Sequence, residues 1–147
     1  MTRRAITHSA EETIALGRAL AADLRPPLII LLRGDLGAGK TTLVKGIAEG
    51  FKAAPADEVT SPTFTLIHEY RGPSVVLYHI DLYRVDTQRE LETLGIDDLT
   101  GTDSILLIEW GEKFPRFVHE NDLEIEIRHL QANDRDIQVA GSRSPRI

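Results

Sequence analysis

Cysteine is absent from this chain of 147 residues, which excludes disulfide cross-links, thiolate zinc sites and cysteine nucleophiles. Long apolar runs are also missing, because the longest one, residues 28–32, is far shorter than the roughly 20 residues that span a bilayer. The N-terminal stretch MTRRAITHSAEE lacks the apolar segment of a secretion signal. We therefore expect a cytoplasmic protein with no membrane association.

Positive charge is in short supply: 17 Lys and Arg stand against 23 Asp and Glu, for a net charge of −6. A protein that binds nucleic acid by itself usually presents a basic face, so this role is disfavoured unless a partner supplies that surface. Internal repeats and long linkers are absent as well. With 41% hydrophobic and 27% charged residues, residues 1–147 are expected to form one globular domain.

The first half of the chain predicts a helix, a buried strand and a second helix. Ser9 and Glu12 form a capping box that opens a helix over about 10–24. Residues 28–32 form a continuous apolar run between prolines and glycines, which is typical of a strand buried on both faces. A helix over 41–51 follows, with Leu43, Val44 and Ile47 facing inward.

The second half is rich in predicted strands, and the last residues, SRSPRI, are expected to be frayed. We predict strands at 63–67, 75–78, 105–108, 123–127 and 137–139, turns at 71–74 and 133–136, and a short helix at 88–94. These elements predict a three-layer α/β sandwich with a mixed sheet. Its early strands are expected to be parallel and its late ones antiparallel.

A phosphate-binding motif joins the first strand to the second helix. Residues 34–41, GDLGAGKT, match G-x-x-x-x-G-K-[ST] at every fixed position. The glycines let backbone N–H groups approach phosphate oxygens, Lys40 reaches toward the β- and γ-phosphates, and the Thr41 hydroxyl binds Mg²⁺. The helix N-terminus adds its free N–H groups and positive dipole end. The motif predicts a P-loop nucleoside triphosphatase.

Such a site also needs an acidic residue near the metal, at the end of an apolar strand. Glu109 follows one such strand and is our first choice for the Mg²⁺ ligand. Asp81 ends another and either shares the metal or orients the attacking water. The alternative for each is a solvated acid at a strand end.

Several classes of P-loop protein fit poorly. The guanine motif N-K-x-D is absent, and Asp98 to Gly101, which fits D-x-x-G, does not follow a buried strand. The signature segment of transporter ATPases is missing too. A small-metabolite kinase remains the alternative, although residues 86–103, with Arg89 alone, offer little material for an Arg-bearing lid.

Four motifs in register carry a family resemblance: GDLGAGKTT at 34–42, SPTF at 61–64, HIDLYR at 79–84 and IEWGE at 108–112. Together they resemble the bacterial tRNA threonylcarbamoyladenosine biosynthesis ATPase family, the TsaE type. The resemblance implies a small P-loop ATPase, weakly active alone, that works with the threonylcarbamoyl transferase subunit and its non-catalytic paralogue. That pathway modifies N6 of adenosine 37 in tRNAs reading codons that begin with A. The ATPase would support turnover of the transferase complex and reach tRNA only through it.

The resemblance also implies residue roles. Thr41 and Glu109 match Mg²⁺ positions, with Asp81 the second candidate, and the catalytic residues would be Lys40, Asp81 and Glu109. The cofactor, ATP or ADP, would be bound by Gly37, Ala38, Gly39, Lys40, Thr41, Thr42, Thr63 and Arg135.

Some of these roles have equally simple structural alternatives. Ser61, Pro62 and Thr63 either form a switch-like segment facing the γ-phosphate or open a strand as an ST-turn, and Arg135 lies near the nucleotide or in a solvated turn. Four other positions each have two possible roles. His79 either orients Asp81 or makes a strand-end hydrogen bond, and Tyr83 and Arg84 either contact a partner or have a structural role. Trp110 is either a packing anchor or a stacking platform.

Overall fold

The computed structural model describes residues 2–35 and 37–141. Within them, seven strands form one sheet: β1 (Thr2–Thr7), β2 (Leu28–Arg33), β3 (Ile67–Arg71), β4 (Val76–Asp81), β5 (Ser104–Glu109), β6 (Leu123–His129) and β7 (Arg135–Gly141). The helices of this part are α1 (Ala10–Asp23), α2 (Lys40–Gly50), α3 (Gln88–Thr93) and α4 (Pro115–Glu120). None of these helices is long and apolar enough to cross a membrane. The predicted fraying of SRSPRI lies outside the described residues.

The sheet has a parallel centre and antiparallel edges. Its strand order is β1-β7-β6-β2-β5-β4-β3, with parallel pairing from β6 across to β4. The predicted mixed sheet with parallel core strands and the antiparallel pairing of the last two strands are confirmed, but the expectation that the early strands are all parallel and the late ones only antiparallel is wrong. The early strand β3 is antiparallel to β4 because a tight turn joins them, whereas β6 reaches β2 through a crossover that contains α4.

Helices cover both faces of the sheet, which confirms the three layers. On one face α1 and α2 pack over the apolar side chains of β2, β4 and β5, with Leu43, Val44 and Ile47 completely buried as predicted. On the other face, α3 and α4 contribute Leu91 and Phe117 to a second cluster. The strands β2, β4 and β5 thus lie buried between two helical layers.

The helix α1 begins where the capping box predicts. The Ser9 hydroxyl accepts a hydrogen bond from the Glu12 backbone N–H at 3.0 Å, and the Glu12 carboxylate accepts one from the His8 N–H at 2.8 Å. The next helix, α2, lies against α1 with almost no space between the backbones. A Cβ atom on Gly46 would lie 2.1 Å from the Ile14 carbonyl oxygen, and one on Gly17 would lie 2.5 Å from the Leu43 carbonyl oxygen. This contact fixes the position of α2.

Two stretches were predicted as the wrong kind of element. Residues 63–65 form a turn rather than the start of a strand: the Leu66 N–H donates to the Pro62 carbonyl at 2.7 Å, and Leu66 has a φ of 70°. The strand begins only at Ile67. Residues 135 and 136 belong to β7 rather than to the predicted turn, because the hairpin is closed earlier, by the Leu130 N–H and the Asp134 carbonyl.

One of the strands and one of the α-helices named above were not predicted. The strand β1 has the sequence TRRAIT, whose single large apolar residue gives no alternating pattern, and it forms by pairing with β7 along its whole length. The helix α4 has six residues and begins at Pro115, too short for a helical period to show. Both depend on tertiary contacts for their stability.

Candidate phosphate-binding site

The glycine-rich loop lies at the carboxyl edge of the parallel strands, between Arg33 at the end of β2 and Lys40 at the start of α2. Gly39 precedes the helix with a φ of 112°, a left-handed conformation that favours glycine. Among the described residues no side chain caps the first turn of α2, so its N–H groups are available to an anion. Leu36, at a variable position of the motif, lies outside the described residues.

The ammonium group of Lys40 lies at the ends of the parallel strands. Its side chain is buried, and Nζ donates a hydrogen bond to the Gly34 carbonyl at 2.6 Å. The same atom lies 3.6 Å from a carboxylate oxygen of Glu109 and 4.6 Å from the centre of the Trp110 ring. An ammonium group therefore faces the loop from within the protein.

Asp81 and Glu109 are brought together by the register of β4 and β5, in which they are direct neighbours. Alternation along both strands places them on the sheet face that α1 and α2 cover. Both residues are buried, with 3% and 4% of their surface exposed, so neither is a solvated acid. The two carboxylates lie at the edge of the sheet where the loop begins, since β2 pairs with β5 next to Glu109.

The carboxylates have different hydrogen-bond partners. Asp81 accepts one bond from the Thr63 hydroxyl at 3.2 Å and another from the Tyr83 backbone N–H at 2.9 Å. Glu109 Oε2 is bonded to Nε2 of His79. The histidine therefore contacts Glu109, and not Asp81 as one of the two predictions had it.

The carboxylate oxygens at this edge of the sheet suit Mg²⁺, an ion that proteins usually bind only in part. Mg²⁺ prefers hard oxygen ligands and is usually bound through one or two carboxylates together with substrate phosphates and water. The two neighbouring carboxylates supply such oxygens, and Thr41 lies in the first turn of α2, whereas no cluster of three or more His, Cys, Asp or Glu side chains among the described residues is arranged to hold an ion. Two carboxylates alone are few ligands for such an ion, whose remaining positions phosphate and water would fill.

The segment SPTF leads into the turn at residues 63–65, and Thr63 connects it to the site. The Ser61 and Thr63 hydroxyls are bonded to each other at 2.7 Å, and Thr63 reaches Asp81. Phe64 is 81% exposed, and the Arg84 guanidinium lies 4.5 Å from the centre of its ring. The turn thus links an exposed aromatic ring to a buried carboxylate.

Trp110 packs between Lys40 and Tyr83. The centres of the Trp110 and Tyr83 rings lie 5.3 Å apart. This packing role was one of the two predicted for it. Its direct contact with the loop lysine was not predicted, and the only signal for that contact is its place immediately after Glu109. Arg135 lies against the loop: its Nε atom would be 3.3 Å from a Cβ atom on Gly39.

Two cavities flank the loop. The smaller, about 70 Å³, is lined by Ser9, Thr42, Asn133 and Arg135, among others. The larger, about 610 Å³, lies on the other side and includes Asp35, Trp110 and Glu112. Arg33 also lines it, but a hydrogen bond to Glu124 at 2.9 Å raises the pKa of its guanidinium and keeps the cation paired. Sequence reasoning predicted neither cavity, because their walls come from separate loops.

A parallel-centred α/β sheet, a glycine-rich loop before a helix, a lysine in its first turn and carboxylates on neighbouring strand ends define a P-loop nucleoside triphosphatase fold. The family model for threonylcarbamoyl adenosine biosynthesis protein TsaE matches residues 7–137, and the chain belongs to this family.

Individual relatives agree over most of the chain. A tRNA threonylcarbamoyladenosine biosynthesis protein TsaE from Bacillus subtilis is 39% identical over 131 residues, 89% of this chain and 80% of the relative. One from Treponema pallidum is 35% identical over 137 residues, 93% and 99% of the two chains. The crystal structure of YdiB from Bacillus subtilis superposes with a TM-score of 0.76 at 32% identity, over 97% of this chain and 87% of the other. These relatives do not favour the small-metabolite kinase.

Proposed function

We propose that this protein binds ATP with Mg²⁺ at the loop of residues 34–42 and hydrolyses it to support formation of threonylcarbamoyladenosine at adenosine 37 of tRNA. The observation that carries the proposal is the convergence of the Lys40 cation and two buried carboxylates beside the uncapped N-terminus of α2. The names of the relatives support the pathway. We expect the protein to be in the cytoplasm, because tRNA is modified in the cytoplasm.

Each group at the site has a task in hydrolysis. Lys40 and the free N–H groups of α2 bind phosphate oxygens, where they stabilise the charge of the transferring phosphoryl group. Thr41 and Glu109 would hold Mg²⁺, which would supply positive charge that neutralises the phosphates. Asp81, fixed by Thr63 and the Tyr83 backbone, orients the attacking water or shares the metal. ADP and phosphate are the products.

The site gains from a partner because three of the cations near it, other than Lys40 and Arg135, already have partners within the chain. Arg33 is paired with Glu124, Arg84 lies on Phe64, and Lys113 donates to the Leu82 and Tyr83 carbonyls. A cation supplied in trans is a common way to accelerate phosphoryl transfer. We propose that the threonylcarbamoyl transferase subunit and its non-catalytic paralogue are the partners, and that they also provide the contact with tRNA that a chain of net charge −6 makes poorly.

The exposed residues Tyr83, Arg84 and Phe64 form the proposed partner surface. Tyr83 is 43% exposed and contacts Trp110, which in turn contacts Lys40. Phe64 lies next to Thr63, which contacts Asp81. A partner that contacts Tyr83 would therefore be linked to Lys40 through one intervening side chain, Trp110.

Nucleotide binding is tested by calorimetry on the wild type, Lys40→Ala and Arg18→Ala. The last is a matched loss of one cation, because Arg18 pairs with Glu49 on the surface. We expect Lys40→Ala to weaken Mg²⁺–ADP binding at least about tenfold, about 1.4 kcal/mol, and Arg18→Ala to bind normally. Unchanged affinity in Lys40→Ala contradicts the loop assignment.

Partner dependence is tested by measuring hydrolysis with and without the transferase and its paralogue. We expect a slow basal rate and an increase of about tenfold, or 1.4 kcal/mol in the barrier. Tyr83→Ala or Arg84→Ala should lower the stimulated rate while ADP binding stays intact. A full basal rate with no response to the partners contradicts this part of the proposal.

A further inference from the structure

His79 is a polar residue at a position where an apolar side chain would be expected. It is completely buried in β4, and on the same face of the sheet lie Leu77, two residues earlier, and Leu107, its partner in β5. Burying a polar ring costs free energy unless hydrogen bonds compensate. Its Nδ1 atom has no hydrogen-bond partner among the described residues, so the bond to Glu109 is the one polar contact that these residues give the ring.

The direction of that bond follows from the chemistry of the two groups. A carboxylate oxygen only accepts, so Nε2 of His79 carries the hydrogen and donates to Oε2 of Glu109. The other oxygen, Oε1, lies 3.6 Å from the Lys40 ammonium. His79 therefore hydrogen-bonds to Oε2 of Glu109, while Oε1 faces Lys40 and the loop.

We infer that His79 is a positioning residue that fixes the Glu109 carboxylate with Oε1 presented to the Mg²⁺ site. The inference rests on the proposed function, because it assigns His79 to the metal that the nucleotide brings. Outer partners that orient metal ligands typically change metal affinity by about 10–100-fold when they are removed. Asp81 has its own donors, Thr63 and the Tyr83 backbone, so loss of His79 should leave that carboxylate in place.

Two amide substitutions separate positioning from packing. In His79→Gln the amide nitrogen lies about as far along the side chain as Nε2 and can donate to Glu109. In His79→Asn it occupies the place of Nδ1 and falls short. Both variants bury one amide, so a difference between them reports on the donor. Leu77→Val is the packing control, since it lies on the same strand and face.

The measurement is calorimetric ADP binding with excess Mg²⁺ and again with EDTA, together with thermal unfolding of each variant. We expect His79→Asn to lose about tenfold or more of its affinity in Mg²⁺ and to match the wild type in EDTA. His79→Gln should bind like the wild type in both conditions. Leu77→Val should lower the unfolding temperature and leave both affinities unchanged.

The inference is overturned if His79→Asn keeps its Mg²⁺-dependent affinity, if both amide variants lose it equally, or if affinity in EDTA falls in parallel. The proposed function fails differently: in that case the wild type itself binds no nucleotide, or binds equally with and without Mg²⁺. The wild-type titration therefore shows which of the two has failed.

Discussion

The buried pair of Lys40 and Glu109 predicts a measurable coupling in the nucleotide-free protein. Both side chains are almost completely buried, 5% and 6% exposed, with 3.6 Å between nitrogen and oxygen. Removing one member of such a pair leaves an uncompensated buried charge, which typically costs about 3–5 kcal/mol. We expect Lys40→Met to cost about 3 kcal/mol, the lower end, because His79 still donates to Glu109.

Adding Glu109→Gln should restore part of that loss, since a neutral amide needs no cation and its oxygen still accepts from His79. The expected coupling in the double-mutant cycle is about 2 kcal/mol. Urea unfolding of the wild type, both single variants and the double variant measures it. For a chain of this size, 3 kcal/mol corresponds to a fall of roughly 6–12 °C in Tm.

A surface pair provides the control for this cycle. Lys113 and Asp86 lie 3.4 Å apart, with side chains 30% and 81% exposed. Exposed ion pairs contribute about 0–1 kcal/mol, so Lys113→Met and Asp86→Asn should add almost independently. Additivity within about 0.5 kcal/mol for Lys40 and Glu109 as well would refute a tightly coupled buried pair.

Three further predictions concern the metal, the helix contact and acid stability. Glu109→Gln should weaken ADP binding in Mg²⁺ but not in EDTA, whereas Asp81→Asn should spare binding and lower hydrolysis; Mg²⁺ titrations of both variants distinguish the roles, and wild-type behaviour in both contradicts them. Gly46→Ala would place a Cβ atom 2.1 Å from the Ile14 carbonyl oxygen, and because backbone cannot rotate away we expect a loss of about 1–3 kcal/mol in unfolding free energy. Gly101→Ala, whose Cβ would meet the Ser104 hydroxyl at 3.3 Å, should be tolerated; equal stability of both variants contradicts the close contact. The hydrogen bonds from Arg4 lower the pKa of Asp136 below its ordinary value of 3.8, so their contribution is present above that value and is lost as the pH falls through the lowered pKa. In Asp136→Asn the free energy of unfolding should therefore fall less steeply as the pH is lowered. An unchanged dependence on acid pH would refute this role of the Arg4–Asp136 pair.

The parts of the fold that sequence reasoning predicts are those with strong local signals. The capping box at Ser9 fixed the start of α1, and the apolar run after Pro27 placed β2. The motif around Lys40 placed the loop and α2 to within one residue. These signals lie within a few neighbouring residues, so the sequence carries them directly.

The parts that were missed depend on pairing between distant segments. The polar strand β1 is stabilised by β7, whose residues 135–140 pair with residues 2–7 from the far end of the chain, and nothing in the sequence of β1 indicates this. The direction of β3 follows from its turn with β4, and the turn at 63–65 depends on Leu66 adopting a positive φ. The choice of Glu109 as partner for His79 likewise depends on the register of two parallel strands.

We propose that this P-loop protein serves threonylcarbamoyladenosine formation by binding and hydrolysing ATP. The decisive measurement is mass spectrometry of bulk tRNA from cells depleted of the protein. We predict that the level of threonylcarbamoyladenosine falls on depletion and is restored by the wild-type chain but not by Lys40→Ala. An unchanged level in depleted cells, or full restoration by Lys40→Ala, would contradict the claim.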